Sequence, residues 1–133
     1  MKLRILYIED DEVDSIALKR ALSMAGIAHE LIISRDGESA LEVLQETAPP
    51  FLVLLDIGLP RASGLEVLAR IRVDPELCEL PVWILTTSDD PRDIEAATEL
   101  DADGYFSKGS VAGNPAMFAR QIELIWDAYT GDS

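Results

Sequence analysis

The sequence predicts a doubly wound α/β fold, a five-stranded parallel sheet with helices on both faces. Three observations carry that prediction. Short apolar runs alternate with amphipathic stretches about five times along 133 residues, which is the pattern of repeated strand–helix units. The runs ILYI, FLVLL and VWIL are apolar without interruption, as strands buried on both faces are; a sheet with one wet face would alternate. The length suits one hydrophobic core, and no Gly/Ser tract or internal repeat divides it.

Each element follows from its residues. Leu3 to Ile8 is the first strand. Val13 to Ala25 is the first helix, with Val13, Ile16, Ala17, Ala21 and Met24 on its apolar face and Gly26 just past its end. Glu30 to Ser34 is a weaker strand, followed by a helix over Gly37 to Glu46. Phe51 to Leu55 is a strong strand, and Gly64 to Val73 a helix. Pro81 to Leu85 is the fourth strand. Ser88, Asp89 and Asp90 then mark a helix start, with Asp90 as N-cap, Pro91 at the first helical position and the helix running over Arg92 to Leu100. Gly104 to Ser107 is a short fifth strand, and Pro115 to Tyr129 the last helix. Parallel strands joined by helices imply right-handed crossovers.

Composition removes several functions. Eleven Lys and Arg face 25 Asp and Glu, a formal charge of -14. Such a surface repels phosphate backbones and anionic headgroups, so neither nucleic acid nor membrane is an expected partner. No apolar run is long enough to span a bilayer, and Glu9 interrupts any signal-peptide core. Cys78 is the single cysteine; with no disulfide framework, a reducing cytoplasm is the default. Its neighbours Glu76, Leu77, Glu79 and Leu80 offer no base or cation, so a packed thiol is expected rather than a nucleophile. His29, the single histidine, lies by the weakest strand and reads as an edge residue.

In parallel α/β sheets, chemistry sits beyond the carboxyl ends of the strands. Glu9 and Asp10 follow the first strand, Asp56 the third, Thr86 and Thr87 the fourth, and Lys108 the fifth. Singly, these are ordinary turn and cap residues, and Asp11 with Asp14 serves to start the first helix. Together they form a pattern. Three carboxylates at one sheet edge repel one another, and a hard divalent cation relieves that; oxygen ligands with room for water suit Mg²⁺. The hydroxyl and ammonium supply donors for an anion. Acids, hard cation, hydroxyl and ammonium describe a phosphoryl site, and with no Cys, Ser or His at these ends, the natural acceptor is a carboxylate.

The segments ILYIEDD, VLLDIGLPRASG, ILTTSDD and DGYFSK, spread nearly end to end, resemble the receiver domains of two-component response regulators. Within that family, DPELCELPVWILTTSDDPRDI resembles the small single-domain regulators paired with phytochrome-type histidine kinases. The resemblance implies strand order 2-1-3-4-5 and Asp56 as the phosphoacceptor. It implies Mg²⁺ held by Asp10, Asp56 and the backbone carbonyl of Gly58, with Glu9 acting through water. It further implies Lys108 as the lysine that pairs with the phosphoryl group, and Thr86 and Tyr105 as switch residues. The implied function is a stand-alone regulator that takes a phosphoryl group from a sensor histidine kinase and signals by changing shape and binding a protein. That is not enzymatic turnover of an external substrate, although the chain would support its own Mg²⁺-dependent phosphorylation and dephosphorylation.

Two departures from the family pattern involve three positions. Gly109 stands where a proline usually follows the lysine; since a non-proline cis bond costs roughly 2.5–4 kcal/mol, a trans loop is expected. Gly58 and Ser88 lack the carboxylate or amide that helps orient hydrolytic water, so a long-lived aspartyl phosphate is expected. Beyond Tyr129 stand only Thr130, Gly131, Asp132 and Ser133, so residues 1–133 read as one receiver domain with no output domain. Met117, Leu124 and Ala128 fall off the core stripe of Phe118, Ile122, Ile125 and Tyr129, and Trp126 is a further large residue near the tail. These suggest a homodimer through the side formed by the fourth helix, fifth strand and last helix. Other readings are a phosphorylation-independent scaffold or phosphate sink, a phosphohydrolase and a flavin module. Gly58 in place of a second Asp disfavours the hydrolase. The acidic loop EDDEVDS, where a phosphate cradle would be glycine- and hydroxyl-rich, disfavours the flavin site.

Overall fold

The computed structural model describes residues 2–49, 51–57, 64–87 and 90–131. In chain order the elements are β1 (Leu3–Ile8), α1 (Glu12–Met24), β2 (His29–Ser34), α2 (Gly37–Glu46), β3 (Leu52–Leu55), α3 (Gly64–Val73), β4 (Val82–Thr86), α4 (Pro91–Glu99), β5 (Gly104–Ser107), α5 (Lys108–Gly113) and α6 (Pro115–Thr130). The strands form one parallel sheet in the order β2-β1-β3-β4-β5, with Ile5 opposite Leu31 and Leu52, and Ile84 opposite Tyr105. The fold class and strand order are as expected. Element bounds agree within a residue or two, except that α5 is an addition: residues 108–113, read as loop, form a short helix.

The period-two alternation of strands sorts the core into two layers. Leu6, Ile8, Val53, Leu55, Val82 and Ile84 face α2, α3 and α4. Leu3, Ile5, Tyr7, Leu52, Leu54 and Leu85 face α1, α5 and α6. β1, β3 and β4 are buried almost throughout, whereas β2 is only half-buried at the sheet edge. That explains the uninterrupted apolar runs in the first three and the weaker signal in β2. On the β5 edge, Trp83 stacks on Phe106 (centroids 4.8 Å apart) and Phe106 meets Phe118 of α6 edge-on at 5.1 Å.

Two face assignments need correction. In α1 the buried residues are Ser15, Leu18, Ala21 and Leu22, while Val13, Ile16 and Met24 are 74%, 48% and 79% exposed. Two apolar stripes compete on this helix, and the one containing Leu18 and Leu22 meets the sheet. Ser15 is tolerated on that side because its hydroxyl donates to the Asp11 carbonyl. In α6, Trp126 belongs to the core with Phe118, Ala119 and Ile122, whereas Met117 and Leu124 are exposed.

Local chemistry fixes the ends. Asp11 caps α1 by accepting from the Val13 and Asp14 amides, and Asp90 with Pro91 starts α4 as expected. Gly26 adopts a φ of 70° past the end of α1, a region that costs other residues. Arg72 of α3 is a half-buried clamp. Its Nη1 donates to the carbonyls of Cys78 and Leu80 (3.0 and 2.7 Å), Nε and Nη2 donate to the Asp101 carbonyl, and Nη2 pairs with Asp103. Asp103 in turn accepts from the Val82 amide at 2.7 Å. A methionine at 72 keeps the stem but abandons these acceptors. Arg72→Met should therefore lower stability by about 2–4 kcal/mol, read as a lower midpoint in urea unfolding.

Candidate functional site

The backbone ladder runs past the strand ends and sets two acids side by side. The Glu9 amide donates to the Ser34 carbonyl (2.9 Å), and the Asp56 amide donates to the Ile8 carbonyl (3.1 Å). Both side chains stay at the carboxyl edge of the sheet, 1% and 8% exposed. Thr86, last residue of β4, is equally buried and donates from Oγ1 to Asp56 Oδ1 at 3.0 Å. Lys108 leaves β5 at the first position of α5 and turns its ammonium into the same place. Nζ lies 2.5 Å from Glu9 Oε2, 2.8 Å from Asp14 Oδ2 and 3.0 Å from Asp56 Oδ2.

Glu9 has further partners: the Asp11 amide donates to Oε1 (3.0 Å) and the Tyr7 hydroxyl to Oε2 (3.2 Å). Burial pushes Glu9 up to about 7, against the pull of Lys108 and the Asp11 amide, with Asp56 adding to the rise. Burial, and then the neighbouring Glu9, raises the Tyr7 hydroxyl, so it remains a donor. For Lys108, burial acts to lower the ammonium, but hydrogen bonds to Asp14, Glu9 and Asp56 outweigh it and the net shift is upward.

The structure thus brings together Glu9, Asp56, Thr86 and Lys108. Asp10 is exposed and lines an open cleft with Glu9, Ser15 and Arg35. Tyr105 is half-buried on β5 and packs against the cluster that includes Ala97 of α4. Gly58 and Ser88 lie outside the described residues. Two participants were not anticipated. Asp14, taken for helix-start charge, reaches Lys108 from α1. Tyr7, hidden in an apolar strand, shares a strand face with Glu9; spacing i, i+2 before a buried acid was the available signal. His29 sits at the far end of the sheet, opposite Leu3, with Nδ1 2.8 Å from the Ile27 carbonyl. Cys78 is half-buried, less packed than expected.

The donor chemistry suits a hard divalent cation, since Glu9, Asp10 and Asp56 offer only oxygen. Among the described residues, however, no three His, Cys, Asp or Glu side chains are grouped as a metal site; the buried carboxylates are spread around the lysine instead. An aspartate steadied by a hydroxyl and an ammonium, beside further acids, can act as an oxygen nucleophile toward a phosphoryl group whose charge those donors stabilise.

α3 contributes by proximity. A Cβ on Gly64, its first residue, would overlap the Asp56 carbonyl oxygen and stand 2.7 Å from Ile57 Cα. Glycine allows the helix to start against the backbone of the acid.

Comparison with known proteins agrees with this geometry. Residues 5–114 match the response regulator receiver domain family. The response regulator Rcp1 of Synechocystis sp. is 40% identical over 128 residues, covering 92% of this chain and 87% of that protein. The response regulator MprA of Mycobacterium ulcerans is 37% identical over 108 residues, 81% of this chain and 44% of its own length. Among solved structures, the Mn²⁺-bound form of Rcp1 superposes with a TM-score of 0.79 at 38% identity, covering 93% of this chain and 94% of that one. The phosphorylated cyanobacterial phytochrome response regulator RcpA gives 0.82 at 29% identity, covering 100% and 97%. Among the described residues, no helix is long and apolar enough to cross a membrane.

Gly64→Ala should cost about 1–3 kcal/mol through overpacking. Urea unfolding would show it, and an unchanged midpoint would mean that α3 withdraws freely from Asp56.

Proposed function

The chain belongs to the response regulator receiver domain family, and on that premise we propose that it is a phosphorylation-driven switch with Asp56 as the acceptor. The observation that carries this reading is the buried Asp56 carboxylate, one oxygen held by Thr86 and the other by Lys108.

In the proposed reaction, an Asp56 oxygen attacks the phosphorus of a phosphohistidine on a sensor kinase. The new O–P bond forms as the N–P bond breaks. The departing imidazole keeps that electron pair and takes a proton from solvent. Lys108 pairs with a phosphoryl oxygen as charge develops, and Thr86 turns its hydroxyl toward the new group. The proposed Mg²⁺ ligands are Asp10, Asp56 and the backbone carbonyl of Gly58. Glu9, already tied to Tyr7, Lys108 and the Asp11 amide, suits a role through water. The bound ion would supply Lewis-acid neutralisation of phosphoryl charge.

Signalling follows from contacts available only after phosphorylation. Moving a two-state equilibrium from 1:99 to 99:1 takes ~5.5 kcal/mol of differential stabilisation, and a few charge-assisted hydrogen bonds at ~1.5–3 kcal/mol each are of that size. Thr86 and Tyr105 are the proposed moving parts. Gly58 and Ser88 offer no side-chain amide or carboxylate to orient water, which supports a slow loss of the phosphoryl group.

The relatives guide the choice of partners. RcpA is a phytochrome response regulator, and a phytochrome-type histidine kinase is the proposed donor here, in the cytoplasm, acting on residues 1–133 as one receiver unit. A homodimer through α4, β5 and α6 is the proposed output arrangement. β5 is an edge strand, and Met117 and Leu124 lie seven residues apart on one side of α6, 58% and 67% exposed.

Incubation with Mg²⁺ and a small acyl phosphate should add one phosphoryl group to the wild type, read by intact mass, and none to Asp56→Asn. Chelating Mg²⁺ should abolish the adduct. No adduct on the wild type, even from phytochrome-type kinases, would favour a phosphorylation-independent scaffold. Light scattering at high micromolar concentration should show dimers once a phosphoryl mimic is bound; monomers with and without it would refute that arrangement.

A further inference from the structure

We propose that Asp14 is a placeholder for the phosphoryl group, occupying the lysine N–H that a phosphoryl oxygen must take over. This rests on the reading of Asp56 as acceptor.

An ammonium has three N–H donors and no more. In the structure Lys108 meets three carboxylates, those of Glu9, Asp14 and Asp56. A phosphoryl oxygen can therefore bind Nζ only if one of the three lets go. Glu9 is the costly one to release: its side chain is 1% exposed, and without the ammonium a buried carboxylate would keep only the Tyr7 hydroxyl and the Asp11 amide. Asp56 carries the incoming group and stays beside the lysine. Asp14 is the most exposed of the three at 29%, so its carboxylate can exchange the ammonium for water at least cost.

Space and charge point the same way. A cavity of about 170 Å³ lies beside the pair, lined by Tyr7, Asp14, Ala17, Leu18, Lys108 and Val111, leaving room for a rotamer change. Asp14 also stands on α1, one layer away from the strand ends that carry the other partners, so it can move without disturbing the sheet. While it remains on Nζ, its negative charge opposes a phosphoryl group at Asp56. Asp14 is thus a positioning residue: it holds the ammonium in the resting protein and sets how readily the site accepts an anion.

The test is a titration with beryllofluoride in saturating Mg²⁺, following the Thr86 amide and Lys108 ammonium resonances by NMR. It compares wild type, Asp14→Asn, Asp14→Ala and Glu12→Gln. Glu12 is on the same helix but its side chain is 77% exposed and faces Arg35 at 4.0 Å, so it controls for general loss of charge. Both Asp14 variants should bind beryllofluoride roughly three- to ten-fold more tightly, the size of one released charge-assisted contact, while Glu12→Gln stays at the wild-type value. The resting Lys108 ammonium signal should exchange faster with water in Asp14→Ala and match wild type once the mimic is bound. A mere folding role would shift urea midpoints without tightening the mimic. Unchanged or weaker binding in both Asp14 variants, with wild type saturating normally, would overturn the placeholder alone. Wild type that fails to bind would overturn the acceptor reading and the placeholder with it.

Discussion

One positive charge decides whether the carboxyl edge of this sheet can exist as built. Glu9, Asp14 and Asp56 converge within 3.0 Å of a single ammonium. Like charges about 4 Å apart cost on the order of 4 kcal/mol per pair at an effective dielectric of 20, a sum comparable to the whole stability of a small protein. Lys108 offsets that repulsion, and the fold is arranged to deliver it. β5 ends at Ser107, α5 begins at once, and the side chain turns back across the strand ends. Burial in this crowded edge pushes Glu9 up toward neutrality, and for Lys108 the hydrogen bonds to Asp14, Glu9 and Asp56 outweigh burial and push it up as well, so the lysine holds its proton and its charge more tightly.

The scaffold was legible because its code is redundant. The uninterrupted apolar strands, the Asp90–Pro91 start of α4 and Gly26 after α1 each specify their element locally, and the strand ends then name Glu9, Asp56, Thr86 and Lys108 as neighbours. What was not legible depends on packing. α1 has two apolar stripes of similar strength, and only contact with Leu3, Ile5 and Tyr7 selects Leu18 and Leu22 over Val13 and Ile16. Trp126 looked like a surface anchor because its burial requires the rotation of α6 against α1. α5 was missed since KGSVAG carries no periodic signal and six residues are too few for one. Asp14 escaped notice for a related reason. An acid in the first turn of a helix has a sufficient local explanation, and nothing local announces a partner 94 residues away.

Division of labour between the two core layers follows from the same geometry. The layer under α2, α3 and α4 receives Tyr105, one proposed moving part, and Gly64 with its close approach to Asp56. The layer under α1, α5 and α6 holds Tyr7 and the cavity beside Asp14. An event at Asp56 therefore touches both faces of the sheet at once. Two discrete arrangements on opposite sides can be biased by one added group without a single continuous path between them.

α3 has a mechanical consequence. Its first residue abuts the backbone of Asp56, and its ninth, Arg72, is bolted to Asp101 and Asp103 just ahead of β5. Ten helical residues make a stiff rod about 15 Å long. The helix is thus a strut between the acidic pocket and the outer edge of the sheet, and a shove at one end arrives at the other as a rigid-body displacement.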